Sequence, residues 1–215
     1  MVSKSTVFLI DDDPSILAAL QELVGVLGLE SRSFGSAAEF LSNYKANGPG
    51  CLILDVRMPG MSGLDLQKEM AVRGFQLPTI VITGFGDVRM AVEAMKAGAI
   101  EFLQKPFRTQ ELCDHIQKAI KLDGVNWRDR QRREQVRQLL AALTVAEKEV
   151  FEMVVAGKTN RVIADELGLS VRTIEDRRAR MMRKIGAKSR AELLELADAD
   201  GALPTKSILS QSDQQ

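Results

Sequence analysis

Hydrophobic and polar positions follow two different rhythms along the chain. Up to about residue 123, short apolar runs alternate with stretches whose apolar residues recur every three or four positions. The runs are VFLI (7–10), CLIL (51–54), TIVIT (79–83) and IEFLQ (100–104), with a weaker one at ESRSF (30–34). Short runs of this composition predict buried strands. Residues 14–27 place Ile16, Leu17, Leu20, Leu23, Val24 and Leu27 at helical spacing, and residues 36–44 do the same with Ala37, Phe40, Leu41 and Tyr44. Ser62 is positioned to cap a helix over 62–73, Asp87 and Gly98 bracket one over 87–97, and Thr109 opens one over 109–121. Five strand–helix units in succession predict an α/β fold, a parallel sheet with helices on both faces.

The second rhythm has no strand pattern. It predicts short helices over 144–156, 159–167, 171–185 and 189–197, punctuated by Gly157, Gly168 and Gly186. Ser170 and Ser189 suit N-caps, and Thr144 with Glu147 suits a capping box. Between the two parts, Asp123-Gly124 leads into NWRDRQRREQVRQ, which is charged and rich in helix formers. The expected organisation is an α/β domain over 1–123, a helical linker over 124–142, a small all-α domain over 143–200 and a frayed tail over 201–215.

Composition narrows the classes. With 45% hydrophobic and 27% charged residues, the 215-residue chain has a globular balance. Two cysteines exclude a disulfide scaffold and point to a reducing, cytoplasmic setting. No apolar run approaches the roughly 18–20 residues that span a bilayer. The five residues before Asp11, of which Thr6 is polar, make too short an apolar stretch for a signal peptide. Net charge is zero, with 29 basic and 29 acidic residues, which by itself argues against nucleic acid. The distribution reverses that argument. Residues 1–123 hold 15 acids and 12 bases, residues 124–200 hold 13 acids and 16 bases, and Ser170–Arg190 holds eight bases and two acids.

In an open α/β sheet, ligands bind at the carboxyl ends of the strands. There the first strand ends in Asp11, Asp12 and Asp13, the third in Asp55, the fourth in Thr83-Gly84 and the fifth in Lys105-Pro106. Crowded carboxylates repel unless a cation joins them. An oxygen-rich site of this kind suits Mg²⁺, and a lysine with a hydroxyl opposite suits a phosphoryl group. Together they fit a carboxylate nucleophile that forms an acyl phosphate. Three aspartates after a strand are as readily a solvated turn and helix cap, and Asp55 alone could begin a turn. Four strand ends each bearing the appropriate residue type favour the chemical reading.

The segments VFLIDDD, LILDVRMPGMSG and IVITGFGDVRMAVEAMKAGAIEFLQKPF resemble the receiver domain of two-component response regulators, especially the FixJ subfamily, over residues 5–122. The resemblance implies a flavodoxin-like sheet of order 2-1-3-4-5 and a cis Lys105-Pro106 peptide. It implies Asp55 as phosphoacceptor and Asp11 with Asp12 as the acidic pair. Asp12, Asp55 and the main-chain carbonyl of Arg57 would ligate Mg²⁺, and Lys105 would pair with the phosphoryl group. Thr83 and Phe102 match the family's switch pair, Phe102 standing where tyrosine is usual and equally suited to a core position. Asp13 lies outside the family's pattern and suits helix capping. Arg57 and Phe85 would flank the path of attacking water and slow loss of the phosphoryl group.

Residues 143–197, LTVAEKEVFEMVVAGKTNRVIADELGLSVRTIEDRRARMMRKIGAKSRAELLELA, resemble the helix-turn-helix domain of the NarL/LuxR/FixJ regulators. Ile163, Ala164, Leu167, Leu169, Val171 and Ile174 are the apolar positions that would hold the helix pair, with Met181, Met182 and Ile185 toward the core. The second helix would enter the DNA major groove. By resemblance Arg172, Thr173, Glu175, Asp176, Arg177 and Arg180 face DNA, with Lys158 and Arg161 as backbone contacts. Arg177 stands where the family commonly has histidine, and suits either guanine or phosphate. Glu175 suits either a cytosine amine or a pairing with Arg178 or Arg172. A charge run is more often a solvated face, but this one coincides with the recognition helix.

His115 and Cys113 lie two apart on a helix and do not face each other, which argues against a metal or nucleophilic site. Cys51 begins an apolar strand and is expected in the core. Trp127 and the arginine-rich linker are candidates for an interdomain or dimer contact. The resulting expectation is a transcriptional response regulator and not an enzyme acting on a diffusible substrate. A sensor histidine kinase would phosphorylate it, and it would pair through the fourth helix and fifth strand. It would bind double-stranded operator DNA, with RNA polymerase as a further partner and no membrane association. The competing reading is a phosphate sink or adaptor whose helical half binds only protein.

Overall fold

The computed structural model describes residues 4–84 and 87–200. Phe85 and the tail expected over 201–215 lie outside the described residues. The chain divides into two compact units between Arg128 and Asp129.

The first unit is a five-stranded parallel sheet of order β2-β1-β3-β4-β5, with β1 Thr6–Ile10, β2 Glu30–Phe34, β3 Gly50–Asp55, β4 Thr79–Thr83 and β5 Ala99–Gln104. The helices between them are α1 Pro14–Val26, α2 Ala37–Asn43, α3 Gly63–Val72 and α4 Val88–Lys96, and α5 follows β5. Side chains alternate across a strand. Leu9, Ile53 and Ile82 therefore pack with Leu20 of α1 and Leu112 and Ile116 of α5. Their neighbours Phe8, Ile10, Leu52 and Leu54 meet Phe40 of α2 and Leu66 and Met70 of α3. Burial on both faces is why the central strands read as continuous apolar runs. The edge strand β2 buries only Phe34 fully, and its signal is correspondingly weak.

One expectation is corrected here. The helix predicted to stop at 121 continues as a single 33-residue helix, α5 Thr109–Ala141, straight through Asp123-Gly124. Asp123 is buried, and its carboxylate accepts the Gly50 N–H at 2.8 Å. That contact holds the helix on the sheet past the residue pair that reads as a stop. An internal glycine costs a helix only about 1 kcal/mol, which the Arg, Gln and Glu residues that follow tolerate.

The second unit is helical, with α6 Val145–Val155, α7 Asn160–Leu167, α8 Val171–Ile185 and α9 Arg190–Asp200. Its core gathers Val150, Phe151 and Val154 of α6, Ile163 and Ala164 of α7, Ile174, Met181 and Ile185 of α8, and Leu193 and Ala197 of α9. Thr144 and Glu147 form a reciprocal capping box at the start of α6. Gly168, with φ of +64°, ends α7, and Ser170 caps α8 two residues later, so the turn between the two helices is as short as the sequence indicated. Val171 is a second correction. Expected in the helix-pair interface, it is 41% exposed at the first turn of α8, and Ile174, three residues on, occupies the buried position.

Candidate functional site

The carboxyl edge of the sheet brings three of the expected residues into direct contact. Asp11, at the end of β1, and Asp55, the last residue of β3, are both buried. The Lys105 ammonium, just past β5, lies between them, 2.9 Å from Asp11 Oδ2 and 3.0 Å from Asp55 Oδ1. The remaining carboxylate oxygens are also engaged. Asp11 Oδ1 accepts the Asp13 N–H at 2.9 Å, and Asp55 Oδ2 accepts the Arg57 N–H at 2.7 Å. Asp13 caps α1 by accepting from Ser15, as its position outside the cluster suggested.

Burial pushes the Asp55 carboxyl above its ordinary pKa, and the Lys105 hydrogen bond counters that push. Burial is likewise the largest single influence on Lys105 and acts downward. The bonds from Asp11 and Asp55 together outweigh it, so the ammonium is held protonated. Lys105 thereby opposes the desolvation of Asp55 and favours the ionised form of its carboxylate, the form in which a carboxylate can act as a nucleophile.

Thr83 ends β4 one step past Ile82, the register partner of Asp55, and is buried. Its carbonyl accepts the Lys105 N–H at 2.8 Å, joining the ends of β4 and β5. The Lys105-Pro106 peptide is cis. Phe102 pairs with Val81 on β4 and lies half-buried against the cluster of Val56, Leu64, Val81 and Ala94, at the margin of the core. Asp12 is exposed, and among the described residues no three acidic, histidine or cysteine side chains meet closely enough to hold an ion. Asp12 is therefore not gathered with Asp11 and Asp55 in this arrangement. Arg57 is exposed.

Gly63 is a residue that sequence reasoning missed. It opens α3 directly under the end of β3, and a Cβ there would lie 2.2 Å from the Asp55 carbonyl oxygen. Its N–H donates to the Val56 carbonyl at 2.9 Å. The only signal in the sequence is a glycine directly after the Ser62 cap. His115 Nδ1 lies 3.3 Å from Glu101 of β5, while Cys113 is buried, so the two share no site. Cys51 is fully buried, which drives its thiol pKa far up and leaves it inert.

In the second unit, α8 separates its core from its charge. At about 100° per residue, Arg172, Thr173, Asp176, Arg177 and Arg180 fall within an arc of roughly 140°. Ile174, Met181 and Ile185 occupy the opposite side and are buried. Arg172, Glu175, Asp176 and Arg180 are exposed; Thr173 and Arg177 are half-buried. Arg183 is exposed on the same arc and belongs with them; its spacing of three from Arg180 was the available signal. Arg178 turns away and donates to Asn160 of α7 at 2.8 Å, so it does not pair with Glu175. Lys184 pairs with Glu147 of α6 at 2.6 Å. Lys158 pairs with Glu166, and Arg161 is exposed.

Residues 7–117 match the family model for the response regulator receiver domain, and residues 141–197 match that for bacterial regulatory proteins of the luxR family. The chain belongs to the two-component response regulators. It is 41% identical over 191 residues to the transcriptional regulatory protein TdiR of Thauera aromatica, covering 88% of this chain and 84% of that one. Over 205 residues it is 40% identical to the transcriptional regulatory protein FixJ of Azorhizobium caulinodans, covering 93% and 97%. Among solved structures, the response regulator StyR superimposes with a TM-score of 0.79 at 40% identity, covering 91% of this chain and 98% of that one. This response regulator therefore carries a receiver, whose class of partner is a histidine kinase, and a luxR-type domain, whose class of partner is DNA. Receivers of the family bind Mg²⁺ in an acidic pocket. The donor set here fits a hard divalent cation, since Asp11 and Asp55 offer only oxygen and neither sulfur nor imidazole joins them. Among the described residues, no helix is long and apolar enough to cross a membrane.

Proposed function

We propose that this response regulator is switched by phosphorylation of Asp55. The observation that carries the proposal is the Lys105 ammonium poised between two buried carboxylates. An Asp55 carboxylate oxygen attacks the phosphorus of a kinase phosphohistidine. The phosphorus–nitrogen bond breaks, the imidazole leaves, and an acyl phosphate forms. Asp11, Asp12, Asp55 and the Arg57 carbonyl are the residues that would hold Mg²⁺, which when bound supplies charge neutralisation for the phosphoryl oxygens. Lys105 exchanges one carboxylate partner for a phosphoryl oxygen, and the Thr83 hydroxyl approaches another. As Thr83 moves, Phe102 passes from the margin of its cluster into the space left behind, and the balance between two states of the α4–β5 face shifts.

The phosphorylated state pairs with a second copy through α4 and β5. The exposed Val88, Val92 and Met95 of α4 support that reading. The paired molecules bind double-stranded DNA with Arg172, Thr173, Glu175, Asp176, Arg177 and Arg180 of α8 and with Lys158 and Arg161 beside it, and RNA polymerase is a further partner at the promoter. The protein acts in the cytoplasm, and its only chemistry is the phosphorylation and dephosphorylation of itself. Arg57 on the flank of Asp55 slows attack by water. Labelling by acetyl phosphate with intact-mass detection tests the phosphoacceptor: the full chain should gain one phosphoryl group and Asp55→Asn none. Equal labelling of the variant would refute the assignment.

A further inference from the structure

The segment Ser170–Arg190 carries eight bases and only two acids, Glu175 and Asp176. Both acids are exposed, but they stand differently on α8. The buried Ile174, Met181 and Ile185 mark the inward line of the helix. At about 100° per residue, Asp176 falls about 20° from the line opposite them, and Glu175 about 80° from it. Arg183 lies on that outward line and Arg172 about 20° off it. Asp176 is therefore the acid at the crest of the basic surface, and Glu175 is on its flank.

Asp176 does not serve α8 itself. Arg172 and Arg180 stand four residues to either side, the spacing at which opposite charges pair on a helix. Neither pairs with it, and among the described residues its carboxylate takes no hydrogen bond or ion pair. On a surface that meets phosphates, an unpaired carboxylate is repelled, so its favourable place is away from them, toward the base edges. Ala179 keeps that place open. It is exposed and three residues on, a neighbour of Asp176 on the same face. Asp176 and Ala179 are the short side chains of a crest otherwise held by Arg172, Arg180 and Arg183. They leave a notch in which the backbone of α8 can approach the bases. Arg172 and Arg183, about 6 Å and about 10 Å from Asp176 along the axis, are long enough to reach phosphates on either side.

We propose that Asp176 reads a cytosine, its carboxylate accepting from the N4 amine in the major groove. The proposal rests on the reading of α8 as the helix that meets DNA. The major groove offers a carboxylate only two donors, the amines of cytosine and adenine. The adenine amine lies between two acceptors, its own N7 and thymine O4, and both repel a carboxylate. The cytosine amine has guanine O6 on one side only.

The test selects bound duplexes from a random-sequence pool with the full chain treated with acetyl phosphate, and repeats the selection with Asp176→Asn and Asp176→Ala. Asp176 is exposed, so both variants leave the core untouched. One operator position is expected at which the unaltered chain takes cytosine and loses on the order of tenfold in affinity with any other base. Asparagine pairs with adenine N6 and N7, so Asp176→Asn should take adenine there. Asp176→Ala should show no preference at that position, and the other positions should stay as they are in both variants. Base preferences unchanged in both variants, with tighter binding to every sequence, would overturn the proposal, since the acid would then only repel phosphates. A changed preference at a position where the unaltered chain does not take cytosine would also overturn it. Both of those results leave α8 as the DNA-contacting helix. A selection in which the unaltered chain enriches no sequence would refute that reading, and the proposal with it.

Discussion

Replacing Gly63 with alanine probes how tightly α3 is set beneath Asp55. The added Cβ would sit 2.2 Å from the Asp55 carbonyl oxygen, 3.0 Å from Val56 Cα and 3.1 Å from the Asp55 carbonyl carbon. A carbon–oxygen contact settles near about 3.3 Å, so the end of β3 and the start of α3 must separate by about 1 Å. All three obstructing atoms are backbone, so no side chain can rotate out of the way. Overpacking of this kind costs about 1–3 kcal/mol, which for a domain of this size lowers Tm by roughly 5–15 °C. The displaced residue is Asp55 itself, and a misplacement of about 1 Å can slow a reaction on the order of 100-fold. Calorimetry and the rate of acetyl phosphate labelling measure the two effects. Gly124→Ala is the opposite case. It is inside α5 with nothing within 4 Å of its Cβ, so alanine should stabilise by about 0.5–1 kcal/mol. Helix propensity alone would make both substitutions stabilising. A Gly63→Ala variant with unchanged Tm and unchanged labelling would refute the close-approach argument.

Other outcomes follow from the same contacts. The hydrogen bond from Lys184, together with Thr144, holds Glu147 down to about 2 from an ordinary 4.5. Because the folded value is depressed, its stabilisation is present above the ordinary value and fades as pH falls from about 4.5 toward about 2. Thermal melts of the full chain should show the helical unit losing more stability across that window than in Glu147→Gln; parallel pH profiles would contradict the ion pair. Lys105→Met removes the group that counters the desolvation of Asp55, so the Asp55 carboxyl should titrate at higher pH in carbon-detected NMR, and an unmoved titration would contradict its role. On DNA, Arg180→Ala should reduce the log–log salt slope by about one unit if Arg180 meets a phosphate. Arg178→Ala, which loses the bond to Asn160, should lower stability and leave the slope unchanged; the reverse pattern would exchange their roles.

What the sequence disclosed depended on how local the deciding interaction was. β4 is bounded as TIVIT suggested, because both of its faces are buried and every residue is apolar or β-branched. Helix starts were legible where a short polar side chain caps its own helix, as at Ser62, Asp87, Thr144 and Ser170. The course of α5 was not, because Gly124 looks like a stop and the contact that overrides it joins Asp123 to Gly50, 73 residues away. At the acidic edge the residue types were legible, but their order of contact was not. Lys105 binds both Asp11 and Asp55, while Asp12, adjacent in sequence, faces solvent. In α8 the helical period separated core from charge. It did not show that Arg178 turns to Asn160 or that Lys158 turns to Glu166, since those partners lie on another helix.

The central claim is that the state of Asp55 governs where this response regulator sits on DNA. Genome-wide mapping of bound DNA in cells carrying either the unaltered chain or Asp55→Asn tests it directly. The account predicts discrete sites whose occupancy rises with phosphorylation in the unaltered protein and falls to background in Asp55→Asn. Identical sites with identical occupancy in the two strains would contradict it.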